Sequence, residues 1–161
     1  MKFKKITKKL TKPVIIYRGE LKMKKLVLYY SLYGKTKKIA ETKYKDLKAD
    51  LLVEVKETKK RSKFNVMLSG KIEAMQMKKP EIEPLDIDFS EYGTIVIFMP
   101  LWGNNPAPAL NTIIDMIPEG KQIELYMTSA KGESVKSADN TSNEFQKRGS
   151  LVTKYVDLKI G

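Results

Sequence analysis

The chain has 161 residues, enough for one domain with a buried core, and it contains neither cysteine nor histidine. Their absence excludes disulfides, thiol nucleophiles, serine–histidine triads and the usual zinc sites, so a cofactor has to supply most of any redox or group-transfer chemistry. The formal net charge is +12. No apolar run approaches the roughly 20 residues that span a bilayer, so we expect a soluble cytoplasmic protein.

Residues 1–22 form a strongly basic leader. They hold eight lysines or arginines and one acid, a net +7, whereas residues 23–161 hold 23 against 18, a net +5. The leader lacks the interleaved aromatics and sustained amphipathic pattern that favour binding to nucleic acid or membranes, and we expect neither partner. We interpret it as a solvated, partly disordered extension, and hypothesise that it is dispensable or reflects a mis-assigned start upstream of Met23. The alternative is that residues 13–17 pack on the domain, residues 23–161, as an extra strand.

The stretch from Lys24 to Thr36 is the one around which the domain is organised. A short apolar run ends at a turn that contains Ser31 and Gly34, and a helical pattern begins at Lys35. This strand-turn-helix arrangement is how α/β proteins build an anion cradle, because the N–H groups at a helix N-terminus carry partial positive charge. The stretch therefore predicts a phosphate site.

Apolar spacing predicts the elements that follow. A helix over 35–47 has one apolar face that covers a sheet, and residues 51–55 form a second strand. Residues 56–63 are predicted to be a solvated connection. Residues 64–77 are predicted to be a loop that enters a short helix, with their methionines in the core.

The second half of the chain continues to alternate strands and helices. Residues 94–99 are apolar without polar alternation, which indicates a central strand buried on both faces. The rest of the sequence predicts a connector over 79–92, a helix over 107–117, and strands over 123–128 and 151–160. Between these two strands it predicts a helix over 139–148, capped by Asp139 or Thr141 and stopped by Gly149. The alternation predicts an α/β fold with a doubly wound, parallel sheet of five strands.

Three loops of binding-like composition leave the carboxyl ends of these strands, the edge at which open α/β sheets bind ligands. The loop over 31–36 suits a phosphate, and the loop over 100–105 offers the only tryptophan beside glycine and amide side chains. The loop over 129–134 offers backbone donors and a lysine. A phosphate on one side and a flat aromatic group on the other describe flavin mononucleotide (FMN).

Residues 23 to about 134 resemble a short-chain flavodoxin, with SxxGxT after the first strand and PxWxxxPxP after the third. The resemblance implies an FMN-binding electron-transfer protein, with a flavodoxin-like sheet of order 2-1-3-4-5. It places the phosphate at Ser31, Tyr33, Gly34, Lys35 and Thr36. It also implies that the ring is flanked by Pro100, Leu101, Trp102, Gly103 and Asn104, with Trp102 stacking on or beside it, and faced at its polar edge by Ser129, Ala130, Lys131 and Gly132.

The chain departs from the flavodoxin pattern in several places. Tyr33 replaces a small hydroxyl residue, and Lys35 stands where asparagine is common, although a cation near a dianion favours binding. No aromatic residue follows Ser129 in its loop, so one ring face is open or is closed by Tyr33 or by residues 64–77. An open face would admit a redox partner protein, a hydride donor or a quinone.

No helical pattern follows the last predicted strand, whereas flavodoxins end in a helix. We therefore expect exposed apolar surface that is covered by a second copy in a homodimer or other oligomer, covered by the leader, or left by truncation. The net +5 of residues 23–161 also differs from the acidic surface of typical flavodoxins, which argues against their usual partner docking.

Other readings of the same motifs are weaker. A P-loop needs glycine where Tyr29 stands, and a response-regulator receiver needs aspartates where Ser31 and Pro100 stand. The sequence shows no dedicated NAD(P)H site, which favours an electron carrier whose partner is a redox protein or small redox substrate. The alternatives are an NAD(P)H-dependent FMN quinone reductase and a degenerate flavodoxin-like interaction domain without flavin.

Overall fold

Five parallel strands form the centre of the computed structural model, which describes residues 23–131 and 133–160. The strands are β1 (Lys24–Tyr30), β2 (Leu51–Val55), β3 (Tyr92–Trp102), β4 (Gln122–Ser129) and β5 (Leu151–Lys159). Their order in the sheet is β2-β1-β3-β4-β5, which confirms the predicted flavodoxin-like fold. A two-residue strand, Asn105–Pro106, was not predicted and pairs antiparallel with the end of β3. The predictions for residues 1–22 lie outside the described residues.

Helices connect successive strands on both faces of the sheet. They are α1 (Lys35–Asp46), α2 (Lys63–Asn65), a π-helical turn (Val66–Gly70), α3 (Lys71–Met75), a 3₁₀ turn (Phe89–Glu91), α4 (Ala109–Met116) and α5 (Val135–Lys147). Within the described ranges, no helix has the length and apolar character that crossing a bilayer requires.

The core has two parts, one on each face of the sheet. Ala40 of α1 packs with Val96 and Phe98 of β3 on one face, as the helical pattern predicted. On the other face, α4 and α5 cover the opposite side of β3, with Phe145 of α5 fully buried. Strand β3 is therefore buried on both faces, as its unbroken apolar run predicted.

The prediction that apolar surface would remain exposed beside β5 is not settled by the described residues. On the α1 face, Phe98 and Tyr126 are buried and stack with their ring centroids 4.7 Å apart. Val156 and Leu158 of β5 are only half-buried there. The predicted cover by a second copy or by the leader stays a prediction.

The predicted start of α5 was wrong. The helix begins at Val135 with Ser134 as its N-cap, so Asp139 and Thr141 lie inside it and cap nothing. The start is set by Asp157 of β5, whose carboxylate accepts hydrogen bonds from the N–H and the hydroxyl of Ser134. The predicted stop is confirmed, because Gly149 ends the helix with φ +75°.

The segment 63–75 also differs from its prediction. It is helical throughout, as α2, the π-helical turn and α3 in succession, but its methionines are not in the core. Met67 is 71% exposed and Met75 is 66% exposed. The side that packs inward instead carries the small residues Gly70 and Ala74.

The connection before this segment is less solvated than predicted. The side chains of Glu57 and Arg61 are only 6% and 14% exposed and form an ion pair. Glu57 also forms an isolated antiparallel bridge with Ile82. Long-range contacts therefore bury part of a stretch that looks like a polar loop in the sequence.

Candidate functional site

A cavity of about 180 Å³ opens at the carboxyl ends of β1, β3 and β4. The turn after β1, the end of β3 and the residues after β4 form its wall, and the π-helical turn adds one side chain. The lining residues are Ser31, Leu32, Tyr33, Lys35, Thr36, Val66, Pro100, Leu101, Trp102, Thr128, Ser129, Ala130 and Ile160. All three loops predicted from the sequence thus meet at one place.

The structure brings together most of the predicted site residues but not all of them. Nine of the fourteen line the cavity: Ser31, Tyr33, Lys35, Thr36, Pro100, Leu101, Trp102, Ser129 and Ala130. Gly34 lies in the same turn without lining it, and Gly103 and Lys131 also lie outside the lining. Asn104 lines a separate cavity with residues 133, 135 and 136. Gly132 is outside the described residues, and the roles of all fourteen as cofactor ligands stay predictions.

The hydroxyl of Ser31 is the unusual group of this cavity. Its Oγ is buried, and among the described residues it has no hydrogen-bond partner. Buried polar atoms are almost always paired, because leaving one unpaired costs about 1–3 kcal/mol. An unpaired hydroxyl that lines a cavity is therefore a group that a polar ligand can satisfy.

Helix α1 begins four residues after Ser31. Gly34 precedes the helix with φ +81°, a conformation that glycine adopts without steric cost, and a Cβ there would meet nothing within 4 Å. The first N–H groups of a helix have no partner within the helix and attract anions. Thr36, in this first turn, is buried, and its Oγ1 lies 2.8 Å from Oγ1 of Thr128 at the end of β4. This hydrogen bond joins the first loop to the end of β4.

Trp102 is held mainly in the core rather than displayed in the cavity. It is 8% exposed, and its ring meets Tyr30 edge to face at a centroid distance of 6.2 Å. A Cβ placed on Gly70 would lie 3.2 Å from Cε3 of this tryptophan, a tighter contact than usual, so a larger residue there would require the ring or the π-helical turn to shift. Trp102 therefore forms a fixed wall of the cavity.

Comparison with known proteins gives matches among solved structures. No family model and no curated protein matches the chain. The crystal structure of a flavoprotein from Lactobacillus acidophilus NCFM in complex with FMN is 30% identical, with a TM-score of 0.69 over 83% of this chain and 91% of that one. The NMR structure of the apo-form of the flavoprotein from the same organism is 27% identical, with a TM-score of 0.65 over 84% and 93%. A protein from Bacteroides eggerthii DSM 20697, 20% identical with a TM-score of 0.74 over 86% and 90%, shares the fold.

The chain belongs to the flavodoxin-like flavoproteins. The family resemblance seen in the sequence is thereby confirmed.

Arg61 fixes the back of the tryptophan wall. Its guanidinium carbon lies 5.1 Å from the ring centroid of Trp102, within cation–π range. Its Nε donates to Glu57 Oε2 and its Nη1 to Glu73 Oε2, both at 2.6 Å. Burial alone would raise the pKa of Glu73, but hydrogen bonds from Ser69 and Arg61 outweigh it and hold that pKa below its ordinary value. This flavodoxin-like site is thus supported by a charge network that the predicted loop motifs do not include.

Four lining residues were missed by the sequence motifs. Leu32 lies inside the predicted loop over 31–36 but was not named as a site residue, and Thr128 directly precedes the loop over 129–134, so a slightly wider boundary would have included it. Val66 belongs to the segment that was proposed to close one ring face. Ile160 follows β5, and its N–H donates to Ser129 O at 2.9 Å. Only the pairing of β4 with β5 brings it to the cavity, and no local pattern signals that.

Two larger clefts lie beside the cavity, and their chemistry differs. Both clefts mix carboxylates with cations. One of about 440 Å³ is lined by Glu57, Glu73 and Glu81 together with Lys59, Lys60 and Arg61, and one of about 330 Å³ by Glu54, Glu57 and Glu83 together with Lys56, Lys59, Lys60 and Arg61. Ser31 also borders the second cleft. Only the smaller cavity, among these three, carries no carboxylate and joins residues of all three predicted loops. We therefore assign the candidate site to the smaller cavity.

Proposed function

We propose that this chain binds FMN and acts as an electron-transfer protein. The observation that carries the proposal is the buried, unpaired hydroxyl of Ser31, in the turn that leads into α1 and in the cavity at the strand ends. A phosphate would satisfy this donor together with the helix N–H groups. The FMN complex of the 30%-identical flavoprotein supports FMN as the molecule that brings the phosphate.

The residues present suit both ends of the cofactor. Ser31, Lys35 and the turn around Gly34 offer donors and positive charge to a phosphate dianion. Trp102 and Tyr33 offer aromatic surface to a flat ring, and Tyr33 is 49% exposed. When bound, FMN supplies the redox chemistry, and the protein binds it, orients it and limits its contact with water.

The cavity encloses only part of such a ligand. Its volume of about 180 Å³ is below the roughly 300–1,000 Å³ that is usual for ligand sites. Part of FMN would therefore remain accessible. An accessible redox group suits exchange of electrons with another molecule at the protein surface.

The charged groups of the site favour a carrier over an enzyme with its own substrate. Among the described residues, only Tyr33 and Lys35 of the cavity lining can titrate, and both are exposed. A reductase that protonates a small substrate gains from a buried acid at its site, and none lines this cavity in the described ranges. Electron exchange requires only that the protein hold the flavin in place.

The test is a titration of purified cofactor-free protein with FMN, followed by flavin fluorescence, and then a reductive titration of the complex. We expect tight binding with quenched fluorescence, reduction in separable one-electron steps, and negligible turnover of NAD(P)H with quinones. Rapid NAD(P)H oxidation would favour the quinone reductase. A folded protein that does not bind FMN would contradict the proposal and favour the interaction domain.

A further inference from the structure

Exposed apolar side chains cover the outer side of the helical segment 63–75. Phe64 and Leu68, and Leu68 and Ile72, lie four residues apart, and Ile72 and Met75 three, spacings at which helical side chains are neighbours. We call this set the apolar patch: Phe64 (62% exposed), Met67 (71%), Leu68 (59%), Ile72 (51%) and Met75 (66%). Contiguous exposed apolar surface on a soluble domain marks an interaction site, and flexible methionines adapt to the shape of a partner.

The apolar patch lies on the outside of one wall of the candidate site. On the inner side of the same segment, Val66 lines the cavity and Gly70 packs against the ring of Trp102. A molecule seated on the patch is thus separated from the cavity by a single helix. This proximity suits a protein that exchanges electrons with a cofactor held in the cavity.

The surroundings of the apolar patch are strongly basic. Residues 59–79 contain seven lysines or arginines and one glutamate, a net charge of +6, whereas the rest of residues 23–161 amounts to −1. Arg61 and Glu73 pair with each other, and Lys79 pairs with Asp115. Five further exposed lysines adjoin or lie within the segment that carries the patch: Lys59, Lys60, Lys63, Lys71 and Lys78.

We propose that the apolar patch and its lysines are the docking surface for an acidic redox protein, a partner with an apolar centre and a carboxylate rim. The inference rests on the proposed electron-transfer function. It also explains why the excess charge of the domain lies in one segment, since complementary charge selects and steers a partner.

A second copy of this chain fits the surface less well. A two-fold dimer through the patch would place its lysines opposite the same lysines of the other copy, and like charges at such a contact are unfavourable. An anionic membrane would attract the lysines too. A membrane does not accept electrons, however, and the patch lies beside the candidate redox site. Both occupants are outcomes of the test.

The experiment uses the full chain loaded with FMN and two protein probes of opposite charge, an acidic plant-type [2Fe–2S] ferredoxin and a basic cytochrome c. In stopped flow, reduced ferredoxin loses one electron per cluster and the flavin gains it; in the other arm the reduced flavin gives one electron to each haem. We expect the rate constant with ferredoxin to fall at least tenfold from about 10 mM to about 300 mM salt. With cytochrome c it should rise or stay constant. The opposite pair of slopes would overturn the proposal.

Variants locate the surface. Phe64→Ser and Met67→Ser should each slow the ferredoxin reaction at least fivefold, and Lys59→Gln with Lys60→Gln should flatten its salt dependence. Leu151→Ser is the matched control. Leu151 is 62% exposed, but it begins β5 and so lies at the amino ends of the strands, away from the carboxyl ends where the cavity opens. Equal rates in the patch variants and the control would contradict docking at this patch.

Further measurements separate the competing explanations. FMN affinity and reduction by dithionite should stay unchanged in every variant. If the parent protein itself fails to bind FMN, that result refutes the proposed function and not the docking surface. Sedimentation velocity that shows a dimer lost in Met67→Ser would assign the patch to a second copy. Co-sedimentation with phosphatidylcholine–phosphatidylserine vesicles, also lost in Met67→Ser, would assign it to a membrane. Either result overturns the proposal.

Discussion

Replacing Ser31 with alanine separates ligand binding from folding. The Ser31 Oγ is buried and unpaired within the described structure, so its removal breaks no hydrogen bond there. A buried polar group without a partner costs about 1–3 kcal/mol, and this cost disappears in the variant. We expect the cofactor-free Ser31→Ala protein to be at least as stable as the parent, with a gain of up to about 1–3 kcal/mol.

Binding of FMN should change in the opposite direction. A hydrogen bond to a charged group contributes about 1.5–3 kcal/mol, which corresponds to a rise in Kd of roughly 10- to 150-fold. Riboflavin, which lacks the phosphate, should bind to the parent and to Ser31→Ala with nearly equal affinity. The comparison of the two ligands therefore shows whether Ser31 contacts the phosphate or the ring.

The assay combines fluorescence titrations with both ligands and urea unfolding of the cofactor-free protein. Ser150→Ala is the control, because Ser150 is buried and its Oγ lies 3.3 Å from both Lys121 N and Pro118 O. This control should lose about 1–3 kcal/mol of stability and leave the FMN Kd unchanged. An FMN Kd within twofold of the parent in Ser31→Ala, or an equal loss of riboflavin affinity, would refute the phosphate assignment.

Other substitutions test the supports of the site. Arg61→Met should lower the free energy of unfolding by about 2–4 kcal/mol in urea titrations, because it leaves two largely buried carboxylates without their cation. Arg148→Met is the control: it removes an exposed ion pair and should cost less than about 1 kcal/mol. Gly34→Ala and Gly120→Ala should each lower the free energy of unfolding by about 1–2 kcal/mol, because both glycines have φ +81° and open space at the Cβ position. Only Gly34→Ala should weaken FMN binding in the fluorescence titration. Although burial opposes it, hydrogen bonds from Ser69 and Arg61 lower the pKa of Glu73, so its carboxylate stabilises the fold at neutral pH and loses this effect as the pH falls through the lowered pKa. The difference in unfolding free energy between the parent and Glu73→Gln, measured in urea at a series of decreasing pH values from pH 7, should stay constant near neutral pH and shrink in the acidic range.

The parts of the fold that depend on neighbours in the sequence were predicted well. The start of α1 at Lys35 was predicted correctly because the turn, the glycine and the helical periodicity lie within a few residues. The apolar run of β3 likewise indicated its central place in the sheet, although the strand extends through Trp102. In each case, local conformation and local burial agree, and a short window of sequence contains the information.

The errors have long-range causes. The start of α5 depends on Asp157, which lies 23 residues beyond the cap that it binds. The orientation of segment 63–75 depends on Trp102, against which Gly70 packs. A helix whose apolar residues face outward cannot be recognised from its periodicity, because the same spacing normally indicates the buried side.

The two halves of the candidate site are therefore known from sequence to different degrees. Ser31, Gly34 and Thr36 belong to one continuous turn, so a motif can predict the phosphate cradle. The ring side combines residues from separate segments, and its wall depends on Arg61 and Gly70, which position Trp102 from behind. A motif around Trp102 does not reveal whether its ring is free to stack on a flavin or held by the core. In this chain the ring of Trp102 is held by the core, so the exposed ring of Tyr33 is the better candidate for a movable cover of the bound flavin. Tyr33→Ser should leave the phosphate contacts intact and expose the flavin to quenchers in solution.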